Sequence, residues 1–85
     1  MESSEEKSAI DQLIKGNLDG LDWLVREYYH RAVRTAWLIL QDSQAAEDVV
    51  QEAFIQAGHK IHQLRGSSFA PWFLKSVVNR ALSLT

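Results

Sequence analysis

The sequence predicts an all-α fold, a compact bundle of about four helices, and three observations predict it. Apolar residues recur at three- and four-residue steps, strand-like alternation never persists beyond a few residues, and short polar or glycine-containing stretches break the pattern at intervals. With 85 residues there is room for one modest hydrophobic core and no second one. Residues 1–8 read as a polar N-terminal tail and residues 9–85 as a single helical domain.

The first short helix is expected from about Ser4 to Lys15, with Ala9, Ile10, Leu13 and Ile14 as its apolar side and GNLDG as its terminator. A longer second helix follows from about Leu21 to Leu40. Its apolar positions are Leu21, Leu24, Val25, Tyr28, Ala32, Val33, Ala36, Trp37 and Leu40. Asp42 or Ser43 is suited to cap a third helix that continues to about Gln63, with Glu47 and Asp48 placed early, where acids favour a helix N-terminus. Arg65 to Ser68 form a loop, Ser67 or Ser68 is expected to cap the fourth helix, and Pro71 falls where a first turn tolerates it. Connections this short favour largely antiparallel neighbours.

Composition excludes several classes. There is no cysteine, so neither a disulfide framework nor a thiolate metal site exists. The apolar run WLIL at residues 37–40 is far short of a bilayer span, and the acidic start MESSEE is unlike the basic start of a signal peptide. A soluble, cytoplasmic protein without membrane insertion is expected. The net charge of −2 hides a split: residues 1–57 hold all 11 acids and five cations, net −6, whereas residues 58–85 hold four cations and no acid. The two ends should therefore meet different partners.

Helix three buries a stripe of Ala46, Val50, Ala53 and Ala57, with Val49 and Phe54 at its edges and Ile61 and Leu64 further on. Asp48, Gln51, Glu52 and Ile55 lie on the opposite side at i, i+3, i+4 and i+7, one continuous patch in which an isoleucine stands among acids. Such a patch suits a partner helix that carries arginines and an apolar groove; a single exposed isoleucine is also ordinary on a protein surface. Helix four has Leu74, Val77, Val78 and Ala81 as its expected core side. Trp72, Lys75, Ser76 and Asn79 share another face, beside a loop that supplies Arg65, Ser67, Ser68 and Phe69. Stacking platforms, cations and amides without acids are what single-stranded nucleic acid needs; the alternative is a tryptophan folded over the end of the bundle. His59 and His62 lie one turn apart, but with only His30 besides they make no convincing metal site. The carboxylates Glu47, Asp48 and Glu52 sit on a convex face with no nucleophile or phosphate loop nearby, so no catalytic site, metal or cofactor is expected.

From about Ile10 to Ala81 the chain resembles region 2 of bacterial sigma factors of the extracytoplasmic-function (ECF) group. AEDVVQEAF is similar to that family's core-binding helix, RGSSFAPWFLKSVVNRA to its melting loop and recognition helix, and GNLDGLDWLVREYYHRAVRTAWLIL to its long preceding helix. The resemblance implies a transcription initiation factor without enzymatic activity. It would bind the β′ clamp helices of RNA polymerase core through Asp48, Gln51, Glu52 and Ile55. It would also capture the minus-ten promoter element on the non-template single strand. The DNA-binding set would be Arg65, Ser67, Ser68, Phe69, Trp72, Lys75, Asn79 and Arg80. Leu64, Ser67, Ser68 and Phe69 would help enclose an extruded base, Asn79 would read an edge, and Lys75, Arg80 and Arg65 would hold phosphates. Four cations release few counterions, so weak DNA binding at low salt is expected of the isolated domain. The alternative is a sigma-like interaction module that engages polymerase or an anti-sigma factor without melting promoters. Two departures stand out: Leu64 occupies a position where the family usually has an aromatic, and the family's second, helix-turn-helix domain is absent from these 85 residues.

Overall fold

The computed structural model describes residues 3–85. Four α-helices follow one another: α1 (Ser4–Ile14), α2 (Asp19–Leu40), α3 (Ser43–Lys60) and α4 (Phe69–Leu82), with a 3-10 turn at Ile61–Leu64 between α3 and α4. The all-α bundle expected from periodicity is what forms. Its longest helix, α2, packs against each of the other three, and α3 packs on α4. The radius of gyration is 12.5 Å.

Local chemistry accounts for the helix ends. Ser3 caps α1, its hydroxyl accepting from the Glu6 N–H at 3.1 Å. Residues 4–8, which composition assigned to a polar tail, are the first turns of α1, and Glu6 within them is buried. Gly16, with φ of +87°, ends the helix as GNLDG suggested. Asn17 then accepts from the Asp19 N–H at 3.0 Å, so α2 starts two residues before Leu21. Asp42 caps α3 by accepting from the Ala45 N–H at 3.1 Å. The expected end of α3 near Gln63 is instead a tightening into the 3-10 turn, closed by Arg65 (φ 47°) and Gly66 (φ 83°), both left-handed. Ser68 stands at the cap position of α4, but its hydroxyl accepts no capping hydrogen bond. Pro71 is the third residue of α4, within the first turn where its missing N–H leaves nothing unmet.

The core is organised by aromatic rings. Phe73 stacks on Phe54 with centroids 4.3 Å apart and on Phe69 at 5.2 Å, and Phe69 meets Tyr28 at 5.4 Å. One contiguous set of rings therefore ties α3, α4 and α2 together. This shifts the core stripe of α4 from the expected Leu74, Val77, Val78 and Ala81 to Phe69, Phe73, Val77 and Ala81, with Leu74 and Val78 half-buried. The helix is apolar over most of its circumference, so periodicity did not locate the stripe's centre. Phe69 and Phe73 took it, each burying a whole ring, while the larger Trp72 stays half-buried at its edge. On α3 the expected stripe of Ala46, Val50, Ala53 and Ala57, flanked by Val49 and Phe54, is buried as read. Ile14, counted on the apolar side of α1, is exposed.

Two devices dock α1 on α2. Gly20 is buried where a Cβ would lie 2.1 Å from the carbonyl oxygen of Ala9, so a side chain there would collide with backbone. The Tyr28 hydroxyl donates to Glu6 Oε1, which gives the buried carboxylate its partner. Burial, and the hydrogen bond to the Glu6 carboxylate after it, raise the Tyr28 pKa well above the usual tyrosine value.

Gly20→Ala should cost about 1–3 kcal/mol by overpacking against an unyielding carbonyl, measured as a lowered urea midpoint. Tyr28→Phe should cost about 1–3 kcal/mol because Glu6 loses its donor, whereas Glu6→Gln, which still accepts, should cost less. The Tyr28 hydroxyl must stay protonated to donate, and folding raises its pKa. Its contribution should therefore be complete below the unfolded value of about 10 and fade as pH rises above it. Thermal melts of wild type and Tyr28→Phe should converge at strongly alkaline pH.

Candidate functional site

The face of α3 away from the core is arranged as its spacing suggested. Asp48, Gln51, Glu52 and Ile55 are all exposed, Ile55 to 55%. The acids around it are held rather than free. Gln44 Nε2 donates to Asp48 Oδ1 at 3.2 Å, and Glu52 Oε2 accepts from Arg80 Nη1 at 3.0 Å. Beside them Tyr29 donates to Glu47 Oε1 at 3.2 Å; burial, and that bond after it, raise the Tyr29 pKa. An apolar anchor rimmed by oriented carboxylates and an amide can bury one side chain and pair with cations of a facing surface.

On α4, Trp72, Lys75, Ser76, Asn79 and Arg80 line an open groove of about 570 Å³. Lys75 and Asn79 are exposed, and Trp72 is half-buried, with its ring 6.0 Å from Phe69. The groove is lined by no acid, so it offers cations, an amide and one indole face to a planar, anionic partner.

The loop before α4 is held open by backbone geometry. Arg65 occupies the left-handed region at a cost of about 1–2 kcal/mol for a residue with a Cβ, and the Ser67 N–H donates to the Leu64 carbonyl at 2.9 Å. Arg65, Ser67 and Ser68 are exposed. Arg65, Ser67 and Leu64 line a cavity of about 520 Å³ whose opposite wall is α1, with Ile10 and Ile14. Leu64 thus keeps a place at that cavity although it is nearly buried.

Two residues of the expected DNA-binding set have further partners within the fold. Phe69 is wholly buried between Tyr28 and Phe73 and presents no ring to a base; it packs in the core with the larger Trp72 left half-buried beside it. Arg80 is engaged through Nη1 by Glu52, which joins the acidic face of α3 to the cationic face of α4, and its side chain stays partly exposed. Its Nε is closed off from solvent and has no acceptor among the described residues.

The structure also brings in residues that sequence reasoning left out. Gln56, Lys60 and Gln63 meet Trp72, Ser76 and Arg80 across a narrow cleft of about 210 Å³ between α3 and α4. Their spacing of i, i+4 and i+7 was legible as one helical face, but nothing in the sequence said that α4 lies alongside it. His59 and His62 are both exposed, and no cluster of three or more potential metal ligands occurs among the described residues.

The domain thus carries an acid-rimmed apolar patch on one helix and a cationic, tryptophan-bearing groove on the next. Residues 24–84 match the family model of Sigma-70 region 2, and the chain belongs to that family. The RNA polymerase sigma-H factor of Pseudomonas aeruginosa is 31% identical over 78 residues, which make up 91% of this chain and 40% of that protein. The chain thus spans two fifths of the length of that relative. No solved structure matches it. Sigma factors bind RNA polymerase core and promoter DNA, and theirs is a family of non-enzymatic transcription factors. No helix among the described residues is long and apolar enough to cross a membrane.

Proposed function

We propose that this chain is region 2 of an ECF-type sigma factor, working in the cytoplasm, and that it joins polymerase to the minus-ten element through two adjoining faces. The observation that carries the reading is their juxtaposition: an exposed isoleucine among acids on α3, and next to it an acid-free groove on α4, with Glu52 and Arg80 at the seam. Asp48, Gln51, Glu52 and Ile55 engage the clamp helices of β′, with Ile55 as the buried anchor and the acids paired to clamp arginines.

The non-template strand lies along α4. Trp72 stacks on a base, Asn79 reads a base edge, and Lys75, Arg65 and Arg80 meet phosphates. Unstacking a base costs a few kcal/mol, which contacts open only to the extruded base must offset. The cavity between the loop and α1 serves that purpose, with Ser67 and Arg65 at its mouth and Leu64, Ile10 and Ile14 as apolar wall. Phe69 has no part in it. The chain carries out no chemistry of its own in this role.

A second reading, a sigma-like module that binds polymerase or an anti-sigma factor without melting DNA, draws support from the burial of Phe69 and the pairing of Arg80, which shrink the DNA-facing set. Promoter opening by the chain assembled with core polymerase separates the two readings, since only the first requires it.

Ile55→Ala and Gln51→Ala should each weaken binding to a β′ clamp-helix fragment by about tenfold in calorimetry, with circular dichroism unchanged. Equal binding by both variants would sink the polymerase assignment. Asn79→Ala should flatten the preference for one minus-ten sequence over another by about 1–3 kcal/mol while leaving clamp binding intact; an unaltered preference would remove Asn79 from base reading.

A further inference from the structure

We propose that the cleft between the end of α3 and the middle of α4 is a phosphate site, in which Lys60 and Arg80 grip one phosphodiester of a single strand whose neighbouring base lies on Trp72. The inference rests on the nucleic-acid reading above and adds α3 residues to it. It starts from the cleft's chemistry: two cations from different helices line it, the amides of Gln56 and Gln63 and the hydroxyl of Ser76 supply neutral donors, and no acid lines the walls. Lys60 is exposed and forms no ion pair among the described residues.

Arg80 supplies the second observation. Glu52 accepts from one terminal nitrogen, while Nε, closed off from solvent, has no acceptor among the described residues. Nε is out of an anion's reach, but the side chain as a whole is 33% exposed, so the open part of the guanidinium is available to a phosphate in the cleft, and Lys60 would add a point charge from α3. Trp72, Ser76 and Arg80 line both this cleft and the α4 groove, so a strand that follows the groove runs directly into it. That continuity favours a nucleic-acid backbone over an acidic peptide. The face holding Gln56, Lys60 and Gln63 lies roughly a quarter turn round the helix from the patch centred on Ile55, so polymerase and phosphate need not compete.

The test is fluorescence anisotropy of the full chain with a labelled oligothymidine single strand over a range of salt. Lys60→Ala should weaken binding about fivefold and lower the slope of log affinity against log salt by about 0.7, the share of one phosphate on a single strand. Lys60→Arg should restore both, and Lys15→Ala, just past the end of α1 and outside the residues that line the cleft, should change neither. If Lys60→Ala stays within about twofold of wild type with the same slope while Trp72→Ala weakens binding, the cleft assignment fails and the nucleic-acid reading stands. A loss of affinity with an unchanged slope also overturns the cleft, since the lysine would then act on the fold or on a base. If Trp72→Ala and Lys75→Ala are silent as well, the nucleic-acid reading itself fails.

Discussion

The stacking of Phe73 between Phe54 and Phe69 fixes where α4 sits, and the cationic groove depends on that placement. These rings lie in one layer with Tyr28, so the same contacts that bury α4 also set its rotation against α2 and α3. With Phe69, Phe73, Val77 and Ala81 turned inward, Lys75 and Asn79 are turned outward by helical geometry alone. The outward, cationic face of α4 is therefore a consequence of core packing.

The same packing gives the charge split its meaning. Acids confined to the first part of the chain and cations at its end would be a linear curiosity if the helices lay apart. Because α3 packs on α4, the acid-rimmed Ile55 and the cationic groove become adjacent faces, and Glu52 and Arg80 meet where they join. That pair is largely exposed on the Glu52 side, so it contributes little to stability. Its interest lies in how it orients Arg80 and leaves part of that guanidinium unmatched.

The loop and α1 form a second unit of the design. Left-handed Arg65 and Gly66 turn the chain sharply between the 3-10 turn and α4, and α1 lies across from that turn. Glu6 bonded to Tyr28 and the bare backbone of Gly20 under Ala9 keep α1 close to α2. The short helix expected from Ser4 thereby becomes a wall of the cavity beside the loop.

By itself the sequence determined the helical class, the ends of most helices and the composition of each exposed face. These depend on local spacing, on capping residues such as Asp42, and on the exclusion of acids after Glu52, all of which are read along one chain segment at a time. The patch at Asp48, Gln51, Glu52 and Ile55 and the face of Trp72, Lys75 and Asn79 were legible for that reason, as was the buried stripe of α3. Only the tertiary structure decided that Phe69 serves the core, that Glu6 is buried, that Arg80 is held by Glu52, and that Lys60 lines a cleft together with Trp72 and Arg80. Each of these is a contact between residues far apart in sequence. In a helix as apolar as α4, periodicity leaves the inward direction undetermined until neighbouring helices pack against it.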